Sequence, residues 1–416
     1  MTDYPPIITG SREQLFHLLA EAAEIEHTLM CSYLYAVFSL KRNLPGVAGE
    51  MVARWRDAIL SVAIEEMAHL VNVANLSIAV GGEPHFGRPN FPIDPGHFPS
   101  GVVVRLTPVS RETLEHFVHL ERPQGVEGED AASFDKPDYD REEAYHGVMP
   151  SVQDYGSVGR LYEAIEVNLR MLSERVGDDA LFIGPERGQI PAELIRLEGV
   201  TRVTDLKSAI AAIEAIVEQG EGAPGDREGS HYRRFQTIRK EYAAAVSEDA
   251  SFAPAWPAAS NPVMRRPPDP VDKVFVDDPN AARVLDFANG LYALLLRLLV
   301  QCFGRNDDCT PVLMQAAIAL MHIMGEVGAA LTQMPASHSH PGINAGMTFT
   351  MLRSVAPLVV GAAELRLIVE RFDALIGAAP VAARANPALA GFEGRLREAR
   401  DTLTASFNER GVSLSS

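Results

Sequence analysis

The stretch AIEEMAHLVNVANL, residues 63–76, decides how the rest of the chain is read. It lies in a helical pattern that runs from Met51 to Val80, where Gly81-Gly82 stops it. Glu66 and His69 stand three residues apart, on one helix face with Ile59, Ala63, Leu70 and Val73. A carboxylate and an imidazole aimed together into an apolar face suggest a metal ligand pair, whereas Glu65 falls outside the stripe and reads as a solvated or supporting group. One Glu-x-x-His pair arises by chance in many helices. Its meaning depends on what the other helices bring.

Upstream, Ser11 caps a helix that continues to about Leu40, with Gln14 three residues on. Its stripe is Leu15, Leu19, Ala22, Leu29, Met30 and Tyr33; steps of 100° put Glu26 in the middle and Glu21 and Glu24 opposite. A carboxylate on an apolar face costs several kcal/mol unless it is paired, protonated or metal-bound. The short Asn43-Leu-Pro-Gly connection makes the first two helices antiparallel neighbours.

Downstream, residues 83–153 lose the helical pattern and read as a long crossover. Within it Val102, Val103, Val104 and Leu106 predict a short strand, and Ser110 caps a short helix through His119. From Glu127 to Glu143 the crossover is an acidic, solvated run. A third long helix spans about Ser157 to Arg175, with Glu163 and Glu166 competing for the inward place; helical phase favours Glu166 and leaves Glu163 open. Thr204 opens a helix to about Gln219, and another begins near Asp226. There Glu228 and His231 repeat the Glu-x-x-His spacing on a face shared with Phe235, Ile238 and Tyr242.

Residues 1–250 thus supply Glu26, Glu66 with His69, Glu166 or Glu163, and Glu228 with His231. Four carboxylates neutralise two divalent cations, and one imidazole completes each. This is the ligand inventory of di-iron and di-manganese four-helix bundles. Oxygen and nitrogen donors suit iron first and manganese second, with no thiolate in the set. The expected fold is all-α: a ferritin-like four-helix bundle with a long crossover and additional C-terminal helices.

Residues 251–280, dense in Pro, Ala and Asp, form a connecting segment, and residues 281–416 form a C-terminal helical region packed on the bundle. Its helices are expected at Ala281 to Phe303, Pro311 to Gln333, Thr348 to Ile376 and Ala388 to Phe407. Their methionine-containing stripes suit a wall of the active-site pocket. His322 with Glu326, and His338 with His340 in a loop, read as surface groups.

A formal charge of -18 excludes a nucleic-acid or anionic-membrane surface, which needs clustered Lys and Arg. Cys31, Cys302 and Cys309 lack metal-ligand spacing and read as reduced thiols. With no basic leader and no uninterrupted apolar run of membrane-spanning length, the expected location is the cytoplasm. The expected partner is a small-molecule substrate, and homo-oligomerisation is left open.

The segments AEIEHTLMCSYLYA (23–36), AIEEMAHLVNVANL (63–76), LYEAIEVNL (161–169), IVEQGEG (216–222) and EGSHYRRF (228–235) resemble the ferritin-like family that includes the catalytic region of iminophenylpyruvate dimer synthase and chromopyrrolate synthase. Residues 311–335 are similar to that family's C-terminal part. The resemblance implies metal ligation by Glu26, Glu66, His69, Glu228 and His231, leaves Glu163 against Glu166 undecided, and draws attention to Gln219 and Glu221. Those synthases are longer chains, so substrate identity is not carried over. A dinuclear-metal oxidoreductase of secondary metabolism, acting on a small organic substrate such as an amino-acid-derived imine, is the leading expectation. A metal-binding or iron-storage protein without an organic substrate is the alternative.

Overall fold

The computed structural model describes residues 10–93, 96–98, 103–123, 126, 130–134, 150, 155, 157–220, 229–305, 307–353 and 355–414. Helix α1, Arg12–Ser39, starts where the Ser11 side chain accepts a hydrogen bond from the Gln14 amide. Its buried face runs almost the full circumference, so α1 is the central element against which the others pack. Helix α2, Gly46–Ala79, returns beside it along most of its length. A short α3, Arg111–Leu120, is capped by Ser110.

Helix α4, Val158–Val176, lies on α1, and α7, Leu206–Gly220, lies on both α4 and α2. Between them come the one-turn helices α5, Asp178–Leu181, and α6, Ala192–Ile195. Helix α8, His231–Glu248, packs on α3 and α2. Tyr33, Phe117 and Phe235 tie α1, α3 and α8 together, with ring centroids 4.7–5.1 Å apart. All three are fully buried, each stabilising the junction by roughly 1.5–3 kcal/mol.

The chain then passes through a two-residue parallel pairing of β1, Pro262–Val263, with β2, Val274–Phe275. Helices α9, Pro279–Cys302, α10, Thr310–Leu331, α11, Ala362–Ala385, and α12, Phe392–Glu409, follow. Helix α10 meets α1 where Phe38 sits over Gly328; a Cβ on that glycine would come within 2.5 Å of the ring. Gly346 likewise leaves room for the Tyr35 ring. One apolar core runs through both sets of helices.

The structure departs from the sequence reading in several places. Residues 103–107 form no strand; Leu106 instead exchanges hydrogen bonds with Asn261. The helix expected from Thr348 begins only at Ala362, because the Thr348 hydroxyl and the Thr350 and Met351 amides bond Asn289 and Asn90, Phe349 sits at φ +45 and Gly361 turns the chain at φ +107. Of the carboxylates in the acidic run, only Asp130 is described, and it pairs with His116. By mean hydropathy three helices, Gly46–Ala79, Pro279–Cys302 and Thr310–Leu331, are long and apolar enough to cross a membrane; 67%, 72% and 56% of those stretches are buried inside the protein. Brief polar interruptions hide that length in a reading of uninterrupted runs. Here the apolar faces are spent on neighbouring helices.

Candidate metal centre

Five buried side chains converge between α1, α2, the end of α3 and the start of α8. Glu26, Glu66 and His69 bring ligand atoms within 4.8 Å of one another, and so do Glu66, Glu121 and His231. Glu66 belongs to both groups. Its Oε2 lies 2.9 Å from His69 Nδ1, and its Oε1 lies 3.1 Å from His231 Nδ1. Glu26 Oε2 is 3.3 Å from His69 Nδ1, and Glu121 Oε2 is 3.5 Å from His231 Nδ1.

Each half is supported in the same way. The Tyr162 hydroxyl on α4 donates to Glu26 Oε1 at 2.5 Å, and the Tyr33 hydroxyl on α1 donates to Glu121 Oε1. On the far side of the imidazoles, His69 Nε2 faces Gln219 Oε1 at 3.0 Å, and His231 Nε2 faces Glu65 Oε2 at 3.0 Å. Glu65 is itself held by Arg234. Outer acceptors of this kind fix ring orientation and leave the opposite nitrogen free to ligate a metal.

The electrostatics are those of a site built for positive charge. Burial first, and then the neighbouring Glu66 charge, push the Glu26 carboxyl up to about 8. Burial would lower His69, but the charges of Glu66 and Glu26 outweigh it and raise the imidazole to about 10. Burial likewise disfavours charge on His231, yet Glu66 and Glu121 lift it well above the ordinary range. Against burial, the two imidazoles hold Glu66 well below the ordinary carboxylate range. Protons take up the positive charge that these carboxylates demand.

A divalent cation suits the same donors. His231 Nδ1 is buried and close to two carboxylate oxygens, yet makes no well-formed hydrogen bond. The donors are oxygen and nitrogen only, a set suited to iron or manganese. A cavity of about 30 Å³ adjoins Glu26, Glu66, His69 and Glu121, walled by Leu29, Leu120, Val158 and Ile216.

Residues 19–240, more than half of the chain, match the family model described as ferritin-like. The chain belongs to the ferritin-like family. It is 30% identical over 390 residues to dichlorochromopyrrolate synthase of Lentzea aerocolonigenes, which covers 82% of this chain and 36% of that protein. Over 365 residues it is 27% identical to 2-imino-3-(indol-3-yl)propanoate dimerase of Chromobacterium violaceum, covering 79% of this chain and 33% of that one. The chain therefore spans about a third of the length of these curated relatives. A crystal structure of a ferritin-like protein from Caulobacter vibrioides superposes with a TM-score of 0.46 at 19% identity, covering 77% of this chain and 96% of that one.

Within the ferritin-like bundle, Glu26, Glu66, His69 and His231 meet. Glu166 and Glu163 do not. Both lie on the outer side of α4, Glu166 paired with Arg170 and Glu163 with Arg160, their side chains 31% and 45% exposed. Tyr162 takes the inward place and reaches Glu26 across the bundle. The third carboxylate beside Glu66 and His231 among the described residues is Glu121, at the end of the short crossover helix, where the sequence reading expected one from the third long helix.

Helix α8 begins at His231, with Ser230 as its cap and Gly229 at φ +112, so helical phase does not extend back through Gly229. Glu228 and Glu221 lie outside the described residues. Gln219 stands beside His69, as its position in the matching segment suggested. The residues that line the cavity beside Glu66 come from α1, α2, α4, α7 and the end of α3, with none from α9–α12.

A signal for Glu121 was present in the sequence. Leu114, Phe117 and Val118 are spaced as one helix face, and carrying that phase one step further puts Glu121 upon it. The reading that selected Glu26 selects Glu121 too, once the crossover helix is treated as part of the core.

Proposed function

We propose that the chain is a dinuclear-metal oxidoreductase in which iron is held by Glu26, Glu66, His69, Glu121 and His231. The observation that carries this reading is the sharing of Glu66 between two buried ligand groups. When bound, a pair of redox-active metals would supply activation of dioxygen or peroxide. The chain's own residues do the rest. Tyr162 and Tyr33 orient the terminal carboxylates, Gln219 and Glu65 orient the imidazoles, and Leu29, Leu120, Val158 and Ile216 keep bulk water from the pair.

The adjoining space of about 30 Å³ suits a water or a diatomic molecule. An organic substrate must therefore displace part of the wall formed by α4 and α7 or react from beyond it. The names of the relatives, one an imine dimerase and the other a dichlorochromopyrrolate synthase, support a small amino-acid-derived substrate, an imine in particular, in a pathway of secondary metabolism. Three buried, unpaired cysteines accord with a reducing cytoplasm.

Anaerobic titration with iron(II), counted per chain and followed by measurement of oxygen uptake, tests the reading. Two irons per chain and oxygen consumption that the Glu66→Ala variant loses are expected. Retention of both metals by that variant overturns the assignment. Metal binding without oxygen consumption returns the protein to the storage-like alternative.

A further inference from the structure

A second cavity, distinct from the one beside Glu66, lies among α9, α11 and residues 350–353 and 355, with a volume of about 460 Å³. None of its lining residues lines the cavity beside Glu66. Phe287, Tyr292, Leu296 and Leu375 give it a buried apolar floor. Arg297, Arg353 and Arg371 stand around it, with Asp286 as the one acid of the lining.

These arginines have no acidic partner among the described residues. Arg297 donates to the Ala356 carbonyl and Arg353 to the carbonyl of Leu352. Arg371 faces Arg297 closely enough that its charge, after burial, lowers the Arg297 value. Beneath the floor, Arg88 is buried and donates to the Tyr292 hydroxyl at 2.9 Å and to the carbonyls of Pro89 and Phe349. Among the described residues no carboxylate pairs with it, and its Nε has no hydrogen-bond partner. In a chain of formal charge -18, three arginines against one acid stand at this apolar pocket. Walls of low dielectric focus such a field on whatever occupies the space.

We propose that this cavity binds a small organic carboxylate with an aryl or alkyl body, the carboxylate on Arg297, Arg353 and Arg371 and the body on Phe287, Tyr292 and Leu296. The volume falls within the range of small-molecule sites, and guanidinium forks match a carboxylate in shape and charge. An inorganic anion would leave the apolar floor empty, and a neutral ligand would leave the arginines uncompensated. The proposal is independent of the metal reading.

Calorimetric titration of the full chain with 3-phenylpropionate and with its neutral amide, at low ionic strength, tests it. The acid is expected to bind at one saturable site, about tenfold more tightly than the amide. Arg371→Gln and Arg297→Gln should weaken the acid by about tenfold and leave the amide unchanged. Ala293→Trp, which fills the cavity from an exposed lining position, should abolish both. Arg371 is exposed and makes no hydrogen bond or ion pair with the described residues, so its variant keeps the test valid where another fails to fold. Equal binding of acid and amide, binding unaffected by Arg371→Gln, or the absence of saturable binding overturns the proposal.

Discussion

His69 and His231 stack across Glu66, their ring centroids 5.5 Å apart and their planes inclined by 26°. Each presents Nδ1 to Glu66 and turns Nε2 to a separate acceptor. The arrangement makes Glu66 the shared group and Glu26 and Glu121 the terminal ones, so their substitutions should differ in kind. Glu66→Ala should lose both metals, whereas Glu121→Ala should lose about one per chain, as counted by elemental analysis after gel filtration. Glu163→Ala and Glu166→Ala should keep the full complement, since surface ion pairs are all that they break. A metal count that fell with Glu166→Ala would restore α4 as the source of the third carboxylate.

Gln219 accepts from the outer nitrogen of His69, a contact that fixes which nitrogen faces Glu66. Gln219→Leu should lower metal affinity by about 10–100-fold at the His69 position. Gln219→Glu restores the acceptor and should recover most of it. Competition with a chromophoric chelator reads the affinity, and unchanged thermal unfolding of the metal-free variants would separate this role from structural support. Tyr33→Phe, which frees Glu121, should act in the same direction on the other position.

With Glu26 raised to about 8 and His69 to about 10, both groups are protonated at pH 7 and must lose those protons when a metal binds. Affinity for iron(II) or manganese(II) should therefore rise as pH increases from 6 to 8. Binding heats measured in buffers of different ionisation enthalpy should show net proton release. Heats independent of the buffer would mean that the ligands are already deprotonated.

The bundle was legible because its long helices carry their phase on the surface of the sequence. Ser11 caps where its side chain finds the Gln14 amide, and Glu26 and Glu66 interrupt apolar stripes that need no tertiary knowledge to see. Glu121 was missed for a different reason. It ends a ten-residue helix in a segment whose polarity and proline content resemble a loop, and its burial comes from packing against Tyr33 and α8. Glu166 lies on the outer side of α4 because phase places a residue only within tens of degrees, and a local Arg170 contact decides the remainder. The second Glu-x-x-His pair is described only from Gly229 onward, where Gly229 and Ser230 interrupt the helical phase ahead of His231. Composition marks these as turn and cap residues; the spacing alone does not.

The C-terminal helices offer a prediction independent of any metal. Glu364, fully buried in the first turn of α11, accepts from Arg305 Nη1 and Gln301 Nε2 and receives the Gly361 amide at 3.3 Å. Arg305 also grips Asp307, at 2.6 Å. Arg305→Met strips a buried carboxylate of its counter-charge and should cost about 3–5 kcal/mol in urea unfolding at pH 7. The double variant Arg305→Met with Glu364→Leu should recover much of that loss, because neither charge then has to be buried. The pH dependence has a definite sign. Burial raises the Asp307 carboxyl, but Arg305 and the Cys309 amide outweigh it and hold the group below its ordinary 3.8. A depressed carboxylate stabilises the fold above its unfolded value and loses that contribution as pH falls through 3.8 and below. The gap in stability between Arg305→Met and the parent chain should therefore narrow on acidification below pH 4, by a modest amount since Asp307 is 41% exposed. A gap that widened there would place the principal role of Arg305 elsewhere than in this carboxylate pair.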